Sequence, residues 1–198
     1  MKILVVRHGE SFADLLNVIE GRADFELTKT GMKQAKLMSE YVKTHFEIDK
    51  IYSSTLKRAM QTATILSNII GVSVTPKENL MEFNNGKLAG LSREVADILY
   101  PKDDDLPFNE SMYEMESLKE FRDRSKEVLN EILIESDGMN TIVIVSHGGM
   151  INRLYRSFND LDYNIELSYP TGDTGIHLWE IDGNNRRILA SNLMEHLQ

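Results

Sequence analysis

Two apolar runs constrain this chain more than any other feature. Ile3–Val6 (ILVV) and Thr141–Val145 (TIVIV) are short, continuous and rich in β-branched residues. That is the pattern of strands buried on both faces of a sheet. Each run ends in a histidine set in a glycine-containing turn, Arg7-His8-Gly9 after the first and Ser146-His147-Gly148-Gly149 after the second. Strands of this kind need helices over both faces, so the intervals between them should be helical.

The intervals carry that signal. Ala35, Met38, Val42 and Phe46 recur at helical steps and predict a helix over Gly31–Phe46. Lys50–Ser53 reads as a strand, and Ala59, Ala63, Leu66 and Ile70 mark a helix from Leu56 to Ile70, stopped by Gly71. Ser73–Thr75 reads as a brief strand. Ser117 and Glu120 form a capping box ahead of Leu118, Phe121, Ser125, Val128 and Ile132, a long one-faced helix. A helix over Met150–Phe158 follows the second histidine. Gly175–Asp182 and Arg187–Leu193 form a closing strand pair around Asp182-Gly183-Asn184-Asn185. Alternating strands and helices predict a three-layer α/β/α sandwich with a mostly parallel, roughly six-stranded sheet.

At 198 residues the chain suits one domain with a full core. Its net charge of −9 argues against nucleic acid or an anionic membrane as partner, since both need a basic face. There are no cysteines, which excludes disulfides and thiolate metal sites. No run approaches the ~18 apolar residues of a membrane span, and the expected location is the cytoplasm. The oligomeric state is left open. One compositional oddity stands out: Lys102–Glu116 (KDDDLPFNESMYEME) is acidic and carries Phe108, Met112, Tyr113 and Met115. It reads either as a solvated loop or as a lid over a site.

Ligands of open α/β sheets bind outside the carboxyl ends of the strands. If the two apolar strands are parallel neighbours, His8 and His147 meet there. The adjoining glycines let backbone approach a ligand, and the helix after His147 offers N–H groups to an anion. Arg7 adds a fork suited to phosphate oxygens. Arg58, in the first turn after Ser53-Ser54, lies at the same edge. A lone arginine there is commonly a surface ion-pair partner, but beside two histidines it becomes a candidate ligand of phosphate. Glu82 follows the third strand and could supply an ionisable acid. A metal held by His8 and His147 is a competing reading, with no third ligand in view. His45, His177 and His196 match no motif and are expected to be structural or at the surface.

Five ordered blocks then carry a resemblance: RHGES…N…GRxDxxLTxxGxxQA from Arg7 to Ala35, SSxLxRAxQTA from Ser53 to Ala63, LxE…G…GLS from Leu80 to Ser92, ESxxxFxxR from Glu116 to Arg124, and VSHGG from Val145 to Gly149. Together they resemble the histidine phosphatase superfamily, the phosphoglycerate-mutase-like fold. The resemblance implies that His8 is a nucleophile forming a phosphohistidine. It implies that Arg7, Arg58 and a protonated His147 clamp the transferring oxygens, and that Glu82 protonates the leaving oxygen and then helps activate water. It places Ser11, Asp14, Asn17, Gly21 and Gly148 around the phosphate or substrate, and it implies no metal or other cofactor. The family often has asparagine where Asp14 stands and an aromatic residue where Asn85 stands. A carboxylate beside a phosphate is repulsive, so Asp14 is expected to point away or to bind a polar part of the substrate.

The expected activity is therefore a phosphomonoester phosphatase acting on a small phosphorylated metabolite. Two alternatives stand beside it: a cofactor-dependent phosphoglycerate mutase, which Pro170-Thr171-Gly172 resembles, and a non-catalytic phospholigand-binding module. Against the mutase, the Arg-His-Tyr-Gly pattern expected after the acid is replaced by Phe83-Asn84-Asn85-Gly86. The segment 83–115 is the expected lid or specificity wall.

Overall fold

In the computed structural model, which describes residues 1–162 and 167–198, strands and helices follow in the order β1 (Lys2–Arg7), α1 (Phe12–Leu16), α2 (Lys29–His45), β2 (Lys50–Ser54), α3 (Lys57–Ile70), β3 (Val74–Lys77), α4 (Arg93–Leu99), α5 (Leu118–Glu135), β4 (Thr141–Ser146), α6 (Gly148–Phe158), β5 (Ile176–Asp182) and β6 (Asn185–Leu193). The sheet order is β3-β2-β4-β1-β5-β6. Its first four strands are mutually parallel, whereas β5 is antiparallel to both β1 and β6. The two apolar strands are neighbours and parallel, Val6 opposite Val145 and Arg7 opposite Ser146. That register brings their two histidine turns to the same edge.

Alternation along the strands divides the core. Ile3, Val5, Ile142 and Ile144 face Phe121, Val128, Ile132 and Leu154 of α5 and α6, with Trp179 beside them. Leu4, Val6, Val143 and Val145 face Met38, Val42, Ala59, Ala63 and Leu66 of α2 and α3. All of these residues are buried, as expected for a sheet covered on both sides. The expected caps are present: Ser117 and Glu120 close a capping box on α5, and Gly71 ends α3 in a left-handed conformation. Pro76 is tolerated because β3 is an edge strand.

Three local features depart from the sequence expectation. Helix α6 starts at Gly148, two residues earlier than its apolar period showed, and makes His147 its N-cap residue. Helix α1 is closed by its own capping box between Ser11 and Asp14. Helix α4, capped by Ser92, lies inside the segment 83–115 expected to form a lid or specificity wall, where the sequence pattern marks no helix. Among the described residues, no helix is long and apolar enough to cross a membrane.

The three histidines outside the motifs play structural parts. His45 bonds the Tyr41 carbonyl and stacks on its ring. His196 Nε2 lies 2.9 Å from Thr174 Oγ1. His177 is wholly buried on β5. Its Nδ1 accepts from the Asn192 N–H at 3.2 Å, so in the neutral ring Nε2 carries the proton and reaches Thr171 Oγ1 at 2.8 Å. Burial lowers its pKa from 6.5 to about 4. The folded state thus holds His177 neutral where the unfolded chain would protonate it. The associated stability is complete above pH 6.5 and is lost as pH falls toward 4. At ~1.4 kcal/mol per unit this reaches about 3 kcal/mol. Urea denaturation of His177→Gln should show a shallower loss over that window than the parent chain, and an equal slope would contradict the assignment.

Candidate active site

The site is built from β1 outward. His8 follows directly from β1 and is only 1% exposed. Its Nδ1 lies 2.8 Å from the Gly9 carbonyl. A carbonyl can only accept, so Nδ1 carries a proton and, in the neutral ring, the Nε2 lone pair is the free one. Arg58 Nε stands 3.3 Å from that Nε2. The ring of His147, fully buried, has its centroid 5.1 Å from that of His8. The convergence expected from the strand order is therefore present.

Arg58 is a wholly buried arginine, and such a charge persists only when its donors are satisfied. Its Nη groups donate to the carbonyls of Gly21 at 2.7 Å and Ala23 at 3.0 Å. Its Nε lies 3.1 Å from Glu20 Oε1. Gly21 contributes a carbonyl and a close approach: at φ +47, a Cβ there would meet the Asn85 side chain at 2.3 Å. Arg7 is held at 3.1 Å by the Thr171 carbonyl of Pro170-Thr171-Gly172, and by Asp14 at 3.1 Å and Asp173 at 3.3 Å.

Glu82 lies across the opening. Its carboxylate accepts from the Phe83 N–H at 2.7 Å and the Gly149 N–H at 2.8 Å. Here the N-terminal turn of α6 serves the acid. The loop carrying Glu82 is braced by Arg124, which pairs twice with Glu116 and donates to the carbonyls of Asn79, Met81 and Glu82. This explains the spacing of Glu116 and Arg124: both belong to one scaffold under the acid.

Several residues differ from expectation. Asp14 does not point away: Oδ1 meets Arg7, and Oδ2 accepts from Ser11 in the capping box of α1. The guanidinium offsets the repulsion that argued for the opposite. Asn17 is exposed and ends α1 in a left-handed conformation at φ 52. Ser11 is buried, but its hydroxyl is engaged, 2.9 Å from Asp14 Oδ2 and 2.5 Å from Glu20 Oε1. The surroundings of His147 disfavour the protonated ring: burial pushes its pKa well below 6.5, and the charges of Arg58, His8, Arg7 and Arg124 push it further. Its Nε2 meets Ser54 Oγ at 2.8 Å, and its buried Nδ1 has no partner among the described residues.

Sequence reasoning missed Glu20. Its carboxylate bridges the site, 3.1 Å from Arg58 Nε and 3.4 Å from His8 Nε2. Burial alone would raise its pKa. When the His8 ring carries its second proton, its hydrogen bond and charge, together with the charge of Arg58, outweigh that and hold Glu20 down to about 2. His8, Asp14 and Glu20 bring three metal-ligating atoms within 4.8 Å of one another. The guanidinium groups of Arg7 and Arg58 already engage these carboxylates, so the cluster reads as an ion-pair network.

Beyond Glu82 and Glu20 opens a cavity of about 810 Å³. Met112, Tyr113 and Met115 line it together with Asp103 and Asp104, so the acidic segment forms one of its walls. Phe108 does not join them; Arg122 packs over its ring.

Comparison with known proteins decides the family. The model of the histidine phosphatase superfamily, branch 1, matches residues 3–194. The chain belongs to that superfamily. Phosphoglycerate mutase-like protein 4 of Arabidopsis thaliana is 31% identical, over the whole chain and 87% of its own length. Phosphoserine phosphatase 1 of Hydrogenobacter thermophilus is 27% identical, over the whole chain and 94% of its length. Among solved structures, a mutant phosphoserine phosphatase from Entamoeba histolytica, in complex with phosphoserine, aligns with a TM-score of 0.76. It is 29% identical and covers all of this chain and 99% of its own. Superfamily relatives of this chain thus carry both mutase and phosphatase names.

Proposed function

We propose that the chain is a phosphomonoester phosphatase that works through a phosphohistidine on His8, without a metal, on a small phosphorylated metabolite. One observation carries this reading: the proton on Nδ1 is tied to Gly9, which leaves Nε2 facing Arg58 as the nucleophile, with Glu82 at the mouth of the cavity. In the first step Nε2 bonds to phosphorus and the ester P–O bond breaks. The departing oxygen takes its proton from the Glu82 carboxyl. In the second step Glu82, now a carboxylate, takes a proton from water as its oxygen attacks phosphorus. The P–N bond breaks and phosphate leaves.

Arg7 and Arg58 hold the non-bridging oxygens throughout, because charge on them must be stabilised in a loose transition state. The unpartnered Nδ1 of His147 is a donor site that such an oxygen would satisfy. The charge of a bound phosphoryl group would also reverse the cationic surroundings that keep this ring neutral.

The mutase reading draws on the Pro170-Thr171-Gly172 segment that anchors Arg7 and on the mutase-named relative. A direct comparison separates the two. With a chelator present, the protein should release phosphate continuously from 4-nitrophenyl phosphate. Isomerisation of 3-phosphoglycerate that depends on bisphosphoglycerate, with no release of phosphate from any monoester, would favour the mutase.

A further inference from the structure

The cationic cradle contains more carboxylate than phosphoryl transfer requires. Asp14 and Asp173 sit on Arg7, and Glu20 sits on Arg58 against the nucleophilic nitrogen of His8. A phosphoryl group in line with His8 Nε2 and held by Arg58 needs the place that the Glu20 carboxylate occupies. Two anions do not share that place, so the substrate must displace Glu20. With Asp14, Glu20 lines the neck of the cavity, and two carboxylates then face the leaving group after losing guanidinium partners.

The cavity beyond continues the same sign. Asp97, Asp104 and Glu110 line it and form no ion pair among the described residues. Arg93 and Lys102 are the cations on its wall. Phe83, Leu88 and Met112 supply apolar surface between them. We propose that the substrate's alcohol carries a cation, a primary or quaternary ammonium on an apolar frame, and that Glu20 is the residue that selects it. Such a group restores partners to Glu20 and Asp14, whereas a second phosphate or a carboxylate meets like charge at the neck and faces more acids than cations along the wall. The segment 83–115 then acts as the specificity wall. This inference rests on the phosphatase reading.

Three monoesters of matched length test it: the phosphates of aminohexanol, hexanol and hydroxyhexanoic acid, with 4-nitrophenyl phosphate as control. The expected order of kcat/KM is amine, then neutral, then carboxylate, with about tenfold between the extremes, the scale of a few partly screened ion pairs. Glu20→Gln should narrow that ratio, as should the double variant Asp97→Asn with Glu110→Gln. A structural role alone would leave the ratio unchanged. A flat or reversed order with the nitrophenyl ester still hydrolysed overturns the charge preference and leaves the phosphatase reading standing. An unchanged ratio in Glu20→Gln overturns the part given to Glu20. Failure to hydrolyse the control overturns both readings.

Discussion

Replacing His8 with alanine is expected to lower kcat/KM on every phosphomonoester by about four orders of magnitude, roughly 5.5 kcal/mol of transition-state stabilisation. The size follows from the route. With His8 one displacement by water becomes two displacements through a nitrogen nucleophile, and the protein holds that nitrogen ready by fixing Nδ1 on Gly9. Without it, water must attack phosphorus directly in the first step, in which Glu82 is already committed as the acid on the leaving oxygen. Folding should survive. The β1–β4 register and the two core faces do not depend on the ring, and the removed side chain lies at the sheet edge facing Arg58, Glu20 and His147. Steady-state kinetics paired with a thermal melt separates the effects: activity lost in a folded protein supports the role, while activity within tenfold of the parent places the nucleophile elsewhere.

The second large effect belongs to Glu82→Gln, and its diagnostic feature is dependence on the leaving group. An alkoxide is a poor leaving group and needs a proton in the transition state, so hydrolysis of an alkyl phosphate should slow by about 10²- to 10³-fold. A nitrophenolate leaves unaided, and its ester should slow by less than about tenfold. The carboxamide also places an NH₂ against the backbone N–H groups of Phe83 or Gly149, which now meet carboxylate oxygens. That misfit slows both substrates alike. The ratio of the two losses is therefore the readout, and equal slowing would contradict proton donation by Glu82.

Residues that reach the sheet edge through buried strands or periodic helices are legible in the sequence. The centres of β1 and β4, Ile3–Val6 and Ile142–Val145, are continuously apolar because both faces are covered, so the chain itself shows where the histidines that follow them must lie. Helices α2, α3 and α5 bury one stripe each and carry readable ends. α1 and α4 escape detection for the converse reason. They are short, and Phe12, Leu15 and Leu16, like Val95, Ile98 and Leu99, face solvent, so their apolar residues mark no buried stripe.

In the site, Arg58 and His147 lie against His8, and Glu82 accepts from the Gly149 N–H two residues after His147. Glu20 gives no signal of its own, one acid among 31 acidic residues. Its position against His8 comes from the path of the segment between α1 and α2. Asn17 also ends α1 in a left-handed conformation, a local role the motif alone does not show. The downward shift of the His147 pKa is likewise a product of packing: burial and the charges around it set it, and neither is visible along the chain.

The central claim is a covalent phosphohistidine, and rapid-quench trapping addresses it most directly. The protein is mixed with 4-nitrophenyl phosphate, quenched in alkali, where phosphohistidine survives, and digested for mass spectrometry. A single phosphoryl group on the Nε2 atom of His8, formed and lost within the turnover time, is the predicted result. Normal turnover with His8 unmodified, or with the phosphoryl group on any other residue, would contradict it.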